Sequence, residues 1–320
     1  MLFIVWYHLL LKFIVPIDST PIYKAMYMPL HVAVICFVLI SGFFHIKPSL
    51  KGIAKLLFPI LVFYLPLTVF EIIKDGGGFG RLFFLSKSPY WFIRTYFYLF
   101  LITPILNSFL ISARKRLFLL AILGFISVYM GWLMSDHSMA DGKNLVLFMF
   151  LYVLGDCLKF FKERTEQIET WIIIVLYLIL NALLVLAYIT FCDSFIGKAI
   201  WKLSFPYCSP ILILNAVLLF LIVGRFHFNS NIVNWLAGSV FAVYILHHQH
   251  YILYCLIKPC TMFVYGVAES PLELILVLGL MSIGFIIIFI LVDKLFSPIH
   301  NSFLRRASFC EERLRDKLTF

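Results

Sequence analysis

One histidine near the start of the chain stands in a strongly apolar stretch. His8 lies among Trp6, Tyr7, Leu9 and Leu10, with no polar neighbour in the sequence. A neutral imidazole accepts a proton near pH 7 and is also a nucleophile, so it suits general-base and covalent catalysis. Ionisable groups inside long apolar segments are costly and mark candidate functional sites. The alternative is a packed structural histidine, because neutral imidazole is the least costly of these groups to bury.

A second group of histidines follows a tyrosine in a later apolar segment. His247, His248 and His250 come shortly after Tyr244. His247 and Tyr244 are three residues apart and share one helix face, whereas His248 is expected to point elsewhere. This spacing on a helix does not bring three rings onto one ion, and the seven cysteines form no metal-binding pattern. The sequence therefore predicts no metal.

Three other ionisable residues lie at the ends of apolar segments. His31 begins one, Glu71 ends another, and Arg94 lies in the first turns of a third. Snorkelling of His31 and Arg94 and interfacial solvation of Glu71 are adequate explanations without function. At Ser41-Gly42 the favoured interpretation is tight helix packing, because small residues let helices approach closely.

The composition places these residues in a membrane protein. The 320 residues are 63% hydrophobic and 13% charged, with a mean hydropathy of +1.01. A soluble domain has about half its residues apolar and about a quarter charged. The net charge of +10 is explained by Lys and Arg on cytoplasmic loops, so nucleic acid is not an expected partner.

A membrane-spanning helix needs about 20 mainly apolar residues. The chain contains ten such candidates, at residues 1–15, 29–46, 56–73, 90–112, 117–134, 144–161, 171–191, 207–223, 232–257 and 273–292. Irregular backbone does not face lipid, so these segments should be helices. The predicted fold class is all-α, a polytopic helix bundle in a lipid bilayer.

The loop charges predict the orientation. With the N-terminus inside, sixteen of the 26 Lys and Arg residues fall on the inner side. The positive-inside rule then places both termini in the cytoplasm. Residues 297–320 form a basic cytoplasmic tail, and its cations are expected either on the anionic inner leaflet or as an ordinary topological anchor. They are Arg305, Arg306, Arg313, Arg315 and Lys317.

Several short motifs resemble the bacterial acyltransferase 3 family, which includes membrane O-acetyltransferases of cell-surface polysaccharides. Residues 33–43 are similar to the family's apolar run ending in Ser-Gly-aromatic, with Ile35 in place of a common proline. A basic segment from Lys51 to Lys55 then leads into Leu56-Leu57-Phe58-Pro59, with lysines where the family has arginines.

Further matches follow in order along the chain. The fourth segment opens with Tyr90-Trp91-Phe92-Ile93 and closes with Thr103-Pro104, and the sixth carries the aromatic-glycine signature at residues 150–155. Ser239, Tyr244 and His247 look like the family's late Ser…Tyr-Leu-x-His signature. His8 corresponds to the first-span histidine of the family. The family's Arg or Lys eleven residues earlier would lie before Met1, so a shortened first helix is expected within the 1–296 acyltransferase domain.

The resemblance implies transfer of an acyl group, most simply acetyl, from cytoplasmic acetyl-CoA to a hydroxyl of a surface glycan or its lipid-linked precursor. It implies His8 as base or transient acyl carrier at a bacterial inner membrane. Lys51 and Lys55 are the candidates for binding the donor phosphates. Candidates for the acceptor side or the oxyanion are Trp91, Arg94, Tyr244 and His247.

Two other classes fit a polytopic chain. A glycan flippase or transporter would share the spans and the buried polar residues. A sugar-chain polymerase would have a long Arg-rich external loop, whereas the longest predicted external loops here are short. A non-catalytic relative of the acyltransferases is a further alternative.

Overall fold

The computed structural model describes residues 1–76, 78–82, 90–226 and 230–318. The chain is 84% helical, and the described residues contain no β-strand. The predicted all-α fold class is therefore confirmed. Of the predicted basic tail, Arg315 and Lys317 have side chains outside the described set.

The described residues form fifteen main helical segments, numbered in chain order. They are α1 Leu2–Ile14, α2 Pro21–Phe44, α3 Leu50–Asp75, α4 Trp91–Leu110, α5 Ala113–Leu133, α6 Leu145–Phe160, α7 Lys162–Glu166, α8 Thr170–Phe191, α9 Phe195–Ser204, α10 Pro210–Gly224, α11 Asn231–Ala237, α12 Val240–His248, α13 Ile252–Val267, α14 Pro271–Leu295 and α15 Ser297–Leu318. Helix α2 consists of three consecutive stretches, Pro21–Ala25, Tyr27–Leu30 and Ala33–Phe44.

Six of the described helices are long and apolar enough to cross a membrane, and seven if the bent pair α12 and α13 is one span. The six are α2, α3, α4, α5, α8 and α14. Each of the ten predicted segments coincides with helix, but α1, α6 and α10 are shorter than a full span. The multi-pass membrane fold is confirmed and the count of ten is not.

The predicted span at residues 232–257 is wrong as a single helix. The structure breaks it after α11 and again between α12 and α13, whose axes meet at 77°. Gln249 causes the second break with an extended backbone, and its side-chain oxygen accepts the N–H groups of Tyr251 at 2.8 Å and Ile252 at 3.3 Å. This cap satisfies donors that begin a new helix, so the chain turns without leaving them unpaired.

The chain divides into two compact units. The first comprises Met1–Val5, Lys47–Arg94 and Asn229–Phe320, and the second comprises Trp6–Ile46 and Thr95–Phe228. In the first unit α12 packs against α14 and the middle of α3, and α15 lies along the first half of α3. The rings of Phe58 and His300 stack there at 4.3 Å.

In the second unit the dominant packing is between α2 and α6, and two glycines make it possible. A Cβ at Gly42 would lie 2.0 Å from the Tyr152 carbonyl oxygen, and one at Gly155 would lie 2.2 Å from that of Leu39. Neither position has room for any side chain. The interpretation of Gly42 as a packing residue is correct.

Candidate active site

His8 lies within α1, two residues before a π-helical turn at Leu10–Ile14. Such turns are rare and occur often at functional sites. The His8 ring is half-buried and meets the ring of Tyr7 edge-on at 5.0 Å. Tyr7 in turn contacts Tyr27 at 4.9 Å and His31 at 5.0 Å. The predicted base therefore lies beside an aromatic cluster in the second unit.

His31 belongs to that cluster and does not snorkel, so this explanation from the sequence is wrong. Its side chain is 5% exposed, and its ring stacks on Phe205 at 5.3 Å and on Tyr207 at 4.1 Å. Both contacts come from residues that are distant in sequence. Snorkelling requires an open route to the interface, and the two aromatic rings close it.

Tyr244 and His247 come together in the first unit as predicted, and His248 joins them. The Tyr244 ring lies 5.5 Å from that of His247 and 5.1 Å from that of His248. The expectation that His248 points elsewhere is wrong, because residues three and four positions along a helix both neighbour the first. His247 is 1% exposed, and its Nδ1–H donates to the Val243 carbonyl at 2.8 Å. In the neutral ring this leaves Nε2 as the accepting nitrogen.

Residues at the start of α4 contact His248 and Tyr244. The Tyr90 ring lies 5.9 Å from that of His248, and the Phe92 ring lies 5.5 Å from that of Tyr244. The predicted residues Trp91 and Arg94 are half-buried in the same first turn. The structure therefore places all four predicted acceptor-side residues in or next to one aromatic and histidine cluster of the first unit.

Glu71 adds a carboxylate to the first unit, and interfacial solvation does not explain it. The side chain is 9% exposed and its Oε1 accepts a hydrogen bond from the Gln249 amide at 2.5 Å. Gln249 thus caps α13 with its oxygen and binds Glu71 with its nitrogen. Sequence reasoning missed Gln249, because an amide within an apolar segment carries no charge to attract notice.

Lys51 and Lys55 lie in the first two turns of α3, and both are exposed. The backbone N–H of Lys51 donates to Glu311 of α15 at 3.4 Å. Lys51 also lines a surface cavity of about 380 Å³ with Arg305, Ser308 and Glu312 of α15. The C-terminal helix, whose cations were expected on the inner leaflet or as a topological anchor, therefore forms one wall of the predicted donor-binding region.

A buried charge network in the second unit escaped the sequence analysis. Asp156 is 2% exposed; one of its oxygens accepts Nε2–H of His45 at 2.5 Å and the other accepts Nε–H of Arg116. Arg116 also donates to the Leu110 carbonyl at 2.6 Å and lies 4.3 Å over the ring of Phe160. The backbone of His45 has a φ of +56°, which residues other than glycine rarely adopt. The surrounding contacts must therefore hold this conformation.

A second set of hydrogen bonds fixes the residue after His45. The Tyr152 hydroxyl accepts the Ile46 N–H at 3.1 Å and donates to Asn107 at 2.8 Å. Asn107 donates to the Ile46 carbonyl at 3.1 Å. The available signal was Asp156, an acid inside a predicted span directly after Gly155, because an intramembrane carboxylate calls for a partner.

These features define a multi-pass membrane protein with buried histidines in apolar surroundings. The chain belongs to the acyltransferase 3 family: the family profile, described as an acyltransferase domain, matches residues 1–293. It is therefore a membrane acyltransferase. Neither the curated proteins nor the solved structures give a match. The matched range ends before α15 begins.

Proposed function

We propose that this acyltransferase moves an acetyl group from cytoplasmic acetyl-CoA to a hydroxyl of a surface glycan or of its lipid-linked precursor. The observation that carries the proposal is the position of His8, a half-buried histidine beside an aromatic cluster in a chain of the acyltransferase 3 family. The reaction needs a group that takes the hydroxyl proton or carries the acyl group, and neutral imidazole does either.

As a base, His8 removes the proton while the acceptor oxygen attacks the thioester carbonyl. The oxyanion that forms there needs hydrogen-bond donors or a cation to stabilise it. Collapse of the intermediate expels the thiolate, which takes up the proton from the imidazolium. As a carrier, the neutral His8 ring attacks the thioester first and expels the CoA thiolate. The acceptor hydroxyl then attacks the acyl-imidazolium, which returns neutral His8, and the hydroxyl proton ends on the thiolate.

We assign donor binding to the surface cavity that Lys51 of α3 lines together with residues of α15. Lys51 and Arg305 are the two cations that line it, and Lys55 lies one turn further along α3. A polyanionic donor gains charge-assisted hydrogen bonds from such cations. This assignment requires that the start of α3 and the helix α15 are cytoplasmic. Tags at residues 1 and 320 that are labelled from outside intact cells would contradict that topology.

Purified protein with labelled acetyl-CoA tests the proposal. Release of CoA together with transfer of label to a glycan fraction supports it. Movement of a lipid-linked glycan across vesicles without CoA release would contradict it and favour a flippase. Exposed His137, in the loop after α5, provides a control: His137→Gln should retain full activity.

A further inference from the structure

Three buried polar atoms of helices α1 and α2 lack a hydrogen-bond partner within the described residues. They are Nε1 of Trp6, the hydroxyl oxygen of Tyr27 and Nε2 of His31. Tyr27 is 2% exposed and His31 is 5% exposed. Buried polar groups are nearly always paired, so each exception requires an explanation. A bound molecule that completes these bonds is one such explanation.

Two of these three residues, Tyr27 and His31, contact the same aromatic ring. Tyr27 and His31 both contact Tyr7, at 4.9 and 5.0 Å, and Tyr7 contacts His8 at 5.0 Å. The His31 N–H donates to the Tyr27 carbonyl at 2.8 Å, so the two residues lie one helical turn apart on the same face of α2. The Tyr7 ring therefore links Tyr27 and His31 to the predicted catalytic histidine.

The chemistry of the two groups is complementary. The backbone of Phe205 hydrogen-bonds to the His31 ring while Nε2 is unpaired, so Nδ1–H is the donor and Nε2 is an acceptor in the neutral ring. Tyr27 carries a hydroxyl that donates. A ligand that both donates to His31 and accepts from Tyr27 satisfies the pair, and an alcohol hydroxyl does both.

The surroundings of the two groups are mainly aromatic. Trp201 is half-buried and its ring lies 5.6 Å from that of Tyr27. Mainly aromatic walls with a few directed polar groups are typical of small-molecule sites.

We propose that Tyr27 and His31 form an acceptor subsite beside His8 that binds a hydroxyl of a neutral sugar ring. The inference rests on the proposed function for the identity of the ligand as the acyl acceptor. An ordered water is the competing occupant, because it also donates and accepts.

Direct sugar binding tests the subsite without knowledge of the natural acceptor. The probes are the methyl glycosides of glucose, galactose and rhamnose, added to the full chain in nanodiscs. Saturation-transfer difference NMR gives the dissociation constant. Tyr27→Phe removes only the hydroxyl and should weaken binding of the best probe about two- to tenfold, as expected for one neutral hydrogen bond. His31→Gln should weaken it by a similar factor.

Two matched variants serve as controls. Tyr98→Phe removes a hydroxyl from a residue of α4 that is 40% exposed, and His137→Gln changes an exposed loop histidine. Both should bind the probes like the parent protein. Absence of binding by the parent, or equal binding by Tyr27→Phe, overturns the proposal. A lower melting temperature of Tyr27→Phe with unchanged sugar affinity identifies a structural water and also overturns it.

Release of CoA from acetyl-CoA in the presence of the glycan fraction is measured on the same samples. Weakened sugar binding in Tyr27→Phe without any CoA release in the parent would contradict the proposed acetyl-CoA chemistry and support the subsite. CoA release with sugar binding unaffected by both variants would support the acetyl-CoA chemistry and overturn the subsite.

Discussion

Removal of the Asp156 carboxylate should destabilise the protein strongly. Asp156 is 2% exposed, and it is the acceptor for both Arg116 and His45. The variant Asp156→Ala leaves the Arg116 guanidinium, 8% exposed, without its counter-charge. Breaking a buried ion pair in this way costs about 3–5 kcal/mol. At about 2–4 °C for each kcal/mol, the melting temperature should fall by roughly 6–20 °C.

The double variant Asp156→Leu with Arg116→Met tests whether the unpaired charge of Arg116 causes the loss of stability. Replacing both partners of a buried pair by apolar residues is often nearly neutral, since no unpaired charge is left. The double variant should therefore recover most of the stability that Asp156→Ala loses. Thermal unfolding followed by tryptophan fluorescence in detergent measures both effects.

An exposed pair in the same unit is the control. Lys162 and Glu166 lie 3.5 Å apart with side chains 53% and 50% exposed. Glu166→Gln should change stability by less than about 1 kcal/mol, because exposed pairs are screened by water. Equal melting temperatures for Asp156→Ala and Glu166→Gln would refute the account of the network. So would a double variant that is as unstable as Asp156→Ala.

The other predictions concern the donor region, the helix contact and pH. Lys51→Gln with Lys55→Gln should raise the KM for acetyl-CoA more than it lowers kcat, because the lysines act by charge on binding. Gly155→Ala should prevent α2 and α6 from packing and abolish the folded protein in size-exclusion chromatography, because its Cβ would lie 2.2 Å from the Leu39 carbonyl oxygen. Burial lowers the pKa of His300 below its ordinary 6.5, so its contribution to stability is complete above that pH and is lost as the pH falls. His300→Phe should remove that part of the pH dependence in thermal unfolding.

Each of these has a contrary outcome. An unchanged KM for acetyl-CoA in the lysine double variant would exclude both residues from donor binding. A folded, active Gly155→Ala protein would show that the helices separate more easily than the contact implies. Identical pH profiles of the parent and of His300→Phe would show that His300 is not the responsible group.

The sequence predicts the helices well because apolar runs of about 20 residues are typical of membrane-spanning helices. It fails where a helix breaks for a polar reason, as at Gln249, since the cap depends on hydrogen bonds that no periodicity reveals. It also fails at His31, where two rings from distant parts of the chain exclude the interface.

The site residues also fall into two groups: those that local spacing brings together and those that only the packing of helices brings together. Local spacing brings Tyr244 and His247 together, and the structure confirms that contact. The network around Asp156 joins residues 40 and 111 positions away, so only the packing of helices places them in contact. The role of α15 beside Lys51 is likewise invisible in the sequence, since a basic tail alone suggests a membrane anchor.

Acetyl transfer by His8 variants is the most direct test of the central claim. His8→Ala and His8→Gln are purified with the parent protein, and labelled acetyl transfer and melting temperature are measured on each. A base or acyl carrier at His8 predicts a loss of about a hundredfold to ten-thousandfold in rate for both variants, with little change in melting temperature. Near-normal transfer by His8→Gln, with only a lower melting temperature for His8→Ala, would make His8 a packing residue and contradict the account.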